Sequence, residues 1–348
     1  MLHLGSCFAA RGHAVDLVLA IPGGPLEGQI PSELRVVNLG AKRTVRALPA
    51  FARYLRRERP EALLSTLEHS NILAVWASWL ARAGTRVVLR EASDLVPTEQ
   101  VKGVSPRVLR ALMRGCYRSA NKIIAVSKSV EASLIANLGI PPRQIQTIYN
   151  PIVTADLQTK AAAPLDDDWF RAGAPPVVLG VGRLVPAKDF GTLLRAFVEV
   201  RAKRPARLVI LGEGADRAAL EKLTAQLGIQ ADVRMPGFDP NPLRYMSRSA
   251  VFALSSVHEG LPGALIQAMA CGCRVVSTDC PGAREILESG RRGPLVPIGD
   301  PPALARGILA LLDEADRSPA RVPHPVERFG EKRAIDEYLE ILCGRSAE

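Results

Sequence analysis

The sequence predicts an α/β protein built from two tandem, doubly wound, Rossmann-like domains. Three observations carry that reading. Short β-branched runs alternate with helical patterns along the chain, which argues for parallel sheets covered by helices. The alternation comes as two series, residues 14–149 and 177–314, separated by a Pro-rich stretch of weak periodicity. The length, 348 residues, suits two domains of ordinary size.

In the first series the strand candidates are AVDLVLA (14–20), RVVNL (35–39), ALLST (62–66), RVVLR (86–90), KIIAV (122–126) and QTIY (146–149). Helical spacing fills 44–58, 70–83, 104–119 and 128–138. In the second series VVLGV (177–181), RLVIL (207–211), VRM (233–235), VFAL (251–254) and RVVST (274–277) read as strands. Helices are expected over 190–203, 215–227, 263–271 and 302–314. Residues 151–176 carry several prolines and the run Asp166–Asp167–Asp168, and read as a linker. The expected division is therefore a first domain over 1–150, this linker, a second domain over 177–322 and a C-terminal segment over 323–348. Within that segment a helix from about Val326 to Leu342 is placed to cross back to the first domain. The chain opens with LHLGSCFAARGH, a helical pattern ending at Gly12. A doubly wound domain ordinarily opens on a strand and its ligand loop, so that first strand and Gly-rich loop are expected to be missing here.

Composition excludes several classes. Hydrophobic residues at 47% and charged residues at 23% argue against a mainly disordered chain. No run of 18 apolar residues suggests a spanning helix, and the opening residues lack the basic and apolar regions of a signal peptide. A cytoplasmic protein with reduced cysteines is the expectation. The net charge of +10 is unevenly placed: residues 1–150 hold 20 Lys+Arg against 10 Asp+Glu, and the remainder holds 25 of each. Such asymmetry points to a charged partner of the first domain.

Two segments carry chemistry. VVLGVGRLVPAKDFGTLLRAF (177–197) reads as strand, loop and helix. Gly180 and Gly182 permit a tight turn and close ligand approach. Arg183 and Lys188 place two cations before a helix capped by Asp189. Helix-start amides and two cations suit a diphosphate, although Gly and Arg in a loop also serve structure alone. SSVHEGLPGALIQAMACGCRVVST (255–278) lies between two strands. Pro262 fits a first helical turn, and Gly260 and Gly263 leave backbone amides bare toward an anion. Glu259 stands outside that helix start with Gln267 eight residues on. A ligand at the terminus would meet both; the plainer reading of Glu259 is an acid favoured by the helix dipole.

GRLVPAKDFGTLLRAF, LVILGEGADRAALE, MPGFDPNPLRYM, SSVHEGLPGALIQAMACGCRVVSTDCP and REILESGRRGPLVPIGD, in this order, resemble the family 4 glycosyltransferases of the GT-B fold. LLSTLEHSNILAVWA, RVVLREAS and NKIIAVSKSVEASLIANLGIPPRQIQTIYNP resemble that family's acceptor-side domain. The resemblance implies a retaining transfer from a nucleoside-diphosphate sugar to a glycan or lipid-linked acceptor, without a required metal or other cofactor. It implies that Arg183 and Lys188 bind the diphosphate and that Glu259 lies near the sugar hydroxyls. Gly182, Gly260, Leu261, Pro262, Gly263 and Ala264 would face the sugar and phosphates, Phe238 the nucleobase edge and Gln267 the ribose. The sequence departs from the family in four places. Gln267 stands where an acid is usual, and its amide still suits ribose hydroxyls. Asp189 stands where Gly is common. The His of the first-domain strand-end pattern is absent, since Ala92 follows Arg90–Glu91. The first strand and loop are the fourth departure, and with them a truncated relative that binds nucleotide sugar without transferring it remains the alternative.

Other signals are plainer. Cys271, Cys273 and Cys280 lack the paired spacing of a zinc site, so no metal site is expected. GEG at 212–214 lacks the dinucleotide pattern. Neither a nucleic-acid module nor interleaved aromatics accompany the positive charge, so no nucleic-acid partner is expected. KRTVRALPAFARYLRRER (42–59) sets Val45, Leu48, Phe51, Ala52 and Leu55 on one helical face and arginines elsewhere. Arg107, Arg110, Arg114 and Arg118 repeat the pattern. One reading has both apolar faces packed on the sheet. The other has them docked on an anionic inner leaflet, as a peripheral membrane contact.

Overall fold

The computed structural model describes residues 1–23, 27–92, 106–318, 320–321 and 323–344. The chain forms two compact units, Met1–Tyr149 with Lys332–Glu348, and Asn150–Glu331. Each is α/β with parallel strands.

The first unit begins with helix α1 (Leu2–Ala10), strand β1 (Asp16–Leu19), strand β2 (Arg35–Asn38) and helix α2 (Leu48–Glu58). It continues with β3 (Ala62–Thr66), α3 (Glu68–Ala81), β4 (Arg86–Glu91), α4 (Pro106–Ser119), β5 (Lys122–Ala125), α5 (Lys128–Leu138) and β6 (Ile145–Thr147). Strands β3, β4, β5 and β6 form one four-stranded sheet in that order, and β1 pairs with β2 in a separate two-stranded sheet. The expected helix over 44–58 is split: a 3-10 turn over Thr44–Ala47 precedes α2, because Pro49 sits at its start, where its missing N–H costs nothing. Residues 104–105 of the expected fourth helix lie outside the described residues. The apolar face of α2 is buried through Phe51, Ala52 and Leu55, with Ala47 of the preceding turn, against Leu73, Ala74 and Ala77 of α3. That corrects the reading in which this face meets a membrane.

The second unit opens with α6 (Leu157–Ala162). Strands and helices then alternate through β7 (Val177–Val181), α7 (Phe190–Lys203), β8 (Arg207–Leu211), α8 (Arg217–Gln226), β9 (Val233–Gly237), α9 (Leu243–Met246), β10 (Val251–Leu254) and α10 (Gly263–Ala270). β11 (Arg274–Thr278), α11 (Pro281–Ile286), β12 (Leu295–Val296) and α12 (Pro301–Arg317) complete it. The sheet order is β12-β11-β10-β7-β8-β9. Its core joins Val178, Leu208, Val251 and Val276 from the strands to Leu193, Phe197, Leu304 and Ile308 from α7 and α12. The two-residue β12 escapes a sequence reading because prolines flank it.

The stretch read as a linker is folded onto the second unit. Leu157, Ala161 and Trp169 are buried. The Trp169 ring lies beneath the guanidiniums of Arg207 and Arg234, at 4.7 and 4.0 Å, a cation–π arrangement. Asp167 and Asp168 hold Arg234 there at 2.9 and 2.8 Å, so the acidic run is a clamp.

The expected final helix is also interrupted. Residues Glu327–Phe329 form a 3-10 turn, and the carbonyl of Phe329 accepts the amides of Ile152 and Val153. Helix α13 (Glu331–Leu342) follows. Its Ala334, Ile335, Tyr338 and Ile341 are buried with Leu4, Phe8, Val88, Ile124 and Ile148, so the chain's last helix completes the first unit's core. Arg86 Nε donates to the Ile341 carbonyl at 2.7 Å and Arg90 Nε to the Tyr338 hydroxyl at 3.0 Å.

Candidate functional site

The second unit's sheet reverses its direction of growth between β7 and β10. In an open parallel sheet the loops leaving the strand ends at such a switch point diverge and leave a crevice. The loop after β7 carries Gly182, Arg183 and Lys188, and the loop after β10 carries Glu259 and Gly260. Topology alone therefore brings the two sequence segments together.

Lys188 Nζ forms an ion pair with Glu259 Oε1. Both side chains are largely buried, at 20% and 15% exposure, so solvent screens the pair little. Ser256 Oγ donates to the same carboxylate oxygen at 3.0 Å. Ser255 Oγ donates to the Lys188 carbonyl at 2.8 Å, and the Val257 amide to the Ala187 carbonyl at 2.9 Å. The two loops are thus tied through backbone as well as charge. Arg183 is exposed and has no ion pair among the described residues.

Asp189 caps α7 as expected, its carboxylate accepting from the Thr192 amide at 3.2 Å and the Thr192 hydroxyl at 2.6 Å. Its φ of +43° is left-handed, a region that suits Gly and that Asp tolerates better than most residues. This accounts for Asp where Gly is common.

The GEG sequence, which as a dinucleotide signature leads nowhere, has a positional role. A Cβ on Gly212 would lie 1.9 Å from the Gly182 carbonyl oxygen, and one on Gly214 would lie 2.2 Å from that of Leu184. The Gly182 amide donates to Leu211 and the Leu184 amide to Glu213, at 3.0 and 2.9 Å. The loop carrying Arg183 is therefore laid directly on the backbone after β8, a contact only glycine permits.

The helix that follows Glu259 starts one residue later than its proline suggests. Pro262 is the N-cap with ψ of 94°, and Gly263 is the first residue of α10. The amides of Gly263 and Ala264 belong to a first turn that offers them no intrahelical carbonyl. Gly263 has a packing reason as well, since a Cβ there would meet Ile152 Cδ1 at 3.2 Å. Gly260 and Pro262 are buried, and Leu261, Gly263, Ala264 and Gln267 are half-buried. The 3.6-residue period puts Gly263, Ala264 and Gln267 on one face. Sequence reasoning missed Gly282, whose amide donates to the Glu259 carbonyl at 3.1 Å and whose Cβ would collide with that oxygen at 2.7 Å. It missed Ser256 too, although SSVHEG displays it three residues before the acid.

Phe238 is 75% exposed. Gly237 before it has φ of +99° and accepts the Gly212 amide at 2.8 Å. Beside this turn Arg217 grips Glu213 at 2.7 Å and holds its carboxyl below the usual range. Cys271, Cys273 and Cys280 are free and buried. Burial pushes the first two thiols up to about 11 and about 12, so they sit as neutral packing groups.

Comparison with known proteins identifies the family. Residues 165–323 match the family described as Glycosyl transferases group 1, and residues 1–156 match Glycosyltransferase Family 4. A Campylobacter jejuni relative, N-acetylgalactosamine-N,N'-diacetylbacillosaminyl-diphospho-undecaprenol 4-alpha-N-acetylgalactosaminyltransferase, is 32% identical over 249 residues. That match covers 71% of this chain and 66% of the relative. The lipopolysaccharide core biosynthesis glycosyltransferase LpsE of Rhizobium meliloti is 26% identical, covering 99% of this chain and 94% of that protein. Among solved structures, Anabaena Alr3699/HepE in complex with UDP superposes with a TM-score of 0.76 at 18% identity, covering 98% and 96% of the two chains. Sucrose-phosphate synthase from Thermosynechococcus elongatus gives 0.76 at 22% identity, covering 98% and 91%. With its two parallel α/β units and both halves matched, the chain belongs to the family 4 glycosyltransferases of the GT-B fold.

Proposed function

We propose that the chain transfers a sugar from a nucleoside-diphosphate sugar to a glycan or lipid-linked acceptor, with retention at the donor carbon and without a required metal. The observation that carries this reading is the Lys188–Glu259 ion pair, which joins the loops after β7 and β10 at the sheet's switch point. The Anabaena neighbour is a complex with UDP, and the Campylobacter relative is named for a diphospho-undecaprenol substrate; both support the reading.

The chemistry follows from charge. Breaking the bond from sugar to phosphate leaves negative charge on the diphosphate and positive character on the donor carbon. On this reading Arg183, Lys188 and the first amides of α10 donate to the diphosphate, and donors fixed in advance stabilise a leaving anion without reorganising. Glu259 is held by Lys188 and Ser256, and on this reading its carboxylate receives the sugar hydroxyls. Gln267 reads the ribose and Phe238 the nucleobase edge, with Gly182, Gly260, Leu261 and Pro262 shaping the wall. The acceptor hydroxyl gives its proton to the departing phosphate, since no side chain of the second unit is assigned as base.

A panel of nucleoside-diphosphate sugars, assayed for nucleotide release with and without acceptor, tests the reading. Release dependent on one donor and one acceptor, with the donor's anomeric configuration kept in the product, is expected. Inversion would remove the retaining mechanism. Donor binding without release across the panel would leave a binding protein in its place.

A further inference from the structure

Parallel strands covered on both faces are ordinarily apolar throughout, yet the adjoining ends of β10 and β11 carry four buried hydroxyls. Ser255, Ser256, Ser277 and Thr278 are each at most 1% exposed. A hydroxyl taken out of water costs free energy unless it finds a partner, so where each one donates is informative. Ser277 Oγ bonds to the carbonyl of the next residue, Thr278, at 2.8 Å. The other three reach the loops of the candidate site. Ser255 Oγ donates to the Lys188 carbonyl, and Ser256 Oγ to Glu259 Oε1. Thr278 Oγ1 donates to the Ser256 carbonyl at 2.6 Å and lies 3.4 Å from that of Leu254, the last residue of β10.

These bonds run in series. Thr278 fixes the backbone of Ser256, Ser256 fixes one oxygen of Glu259, and that carboxylate holds Lys188. The turn after β11 closes on the same loop, since the Gly282 amide donates to the Glu259 carbonyl at 3.1 Å. A Cβ on Gly282 would lie 2.7 Å from the carbonyl oxygens of both Glu259 and Gly260, a contact only glycine permits. Both donors to the carboxylate, Lys188 and Ser256, converge on Oε1. Oε2 accepts no hydrogen bond among the described residues. The carboxylate is therefore turned with one oxygen bonded to the protein and the other available.

We infer that Thr278 is a positioning residue, acting through Ser256 to set the Glu259 carboxylate, and with it Lys188, before a donor arrives. Ser255 does the same for the Lys188 backbone. The inference rests on the proposed transfer for its purpose, with Glu259 Oε2 as the oxygen left for a sugar hydroxyl. Groups fixed in advance act more strongly than mobile ones, because nothing reorganises when charge develops. Valine would fill the space of Thr278 without its hydroxyl, so packing alone does not require a threonine there. Removing the hydroxyl leaves the packing and frees the Ser256–Glu259 loop.

The test compares the whole chain carrying Thr278→Val with the chain carrying Thr278→Ser, by two readouts. The first needs no donor: acetylation of Lys188 by limiting acetic anhydride, read by mass spectrometry against the exposed Lys222 of α8. The ion pair shields Lys188, so its labelling trails that of Lys222 in the native chain. Thr278→Val is expected to raise the Lys188 to Lys222 ratio severalfold, and Thr278→Ser to keep the native ratio. The second readout is transfer from the donor selected by the panel. Thr278→Val is expected to lower kcat about tenfold with KM within about twofold, the pattern of an interaction made in the transition state. Thr278→Ser restores kcat. Should Thr278→Val fail to fold, Ser255→Ala and Ser256→Ala carry the same two readouts with the same expectations. An unchanged labelling ratio in every folded variant overturns the inference, as does a raised ratio with native kcat. A raised ratio in a chain that releases nucleotide from no donor keeps the positioning and removes the proposed transfer instead.

Discussion

Lys188 cannot serve Glu259 and a diphosphate at full strength at once. It is paired with the carboxylate, and a diphosphate bound as proposed would compete for the same ammonium. The two partners therefore separate by experiment. Glu259→Ala is expected to lose transfer while nucleotide affinity stays level or rises, because the lysine is released. Titration of the nucleotide alongside a transfer assay checks this; an equal collapse of both would mean that Glu259 does not read the sugar. Arg183→Ala removes a charge-assisted contact of about 1.5–3 kcal/mol. Turnover should fall by at least tenfold with unchanged melting. The glycines divide differently. The pairing partners Lys188 and Glu259 were legible as candidates because charge in a Gly-bearing loop is visible in the sequence. Gly212 was visible yet unreadable, because its reason is the Gly182 carbonyl that passes over it.

At the scale of elements, the β7–α7 join is where local strain and capping meet. Asp189 gains a cap worth about 0.5–2 kcal/mol and bears a left-handed backbone costing about 1–2 kcal/mol in a residue with a Cβ. Asp189→Gly should therefore be near neutral in denaturant unfolding, whereas Asp189→Ala keeps the strain, loses the cap and destabilises. Equal stability of the two variants would show that the left-handed backbone costs nothing, since both lack the cap. Gly212→Ala should be more severe, since backbone must move, and its donor affinity should fall with its stability. Strand and helix alternation was legible throughout because periodicity of 2 and 3.6 is written locally. The folding of residues 150–176 onto the second unit was not. Its anchors, Trp169 between two arginines and Ile152 against Gly263, are contacts across distance. The α2 pattern showed an apolar face without showing what covers it; α3 does.

For the whole molecule, the last helix matters more than its position suggests. Tyr338 is fully buried beside Phe8 and Ile335 in the first unit's core. Tyr338→Ala should cost about 3–5 kcal/mol, as for other large buried aromatics. It should lower the first unit's unfolding transition and leave the second's in place, as followed by proteolysis of each unit. Central to the proposed function is that the second unit's switch-point loops hold and release the donor diphosphate. The most direct measurement is turnover of the preferred donor by Lys188→Ala, with melting recorded on the same preparation. A loss of at least tenfold at unchanged melting temperature is expected. Near-normal turnover by that variant would contradict it.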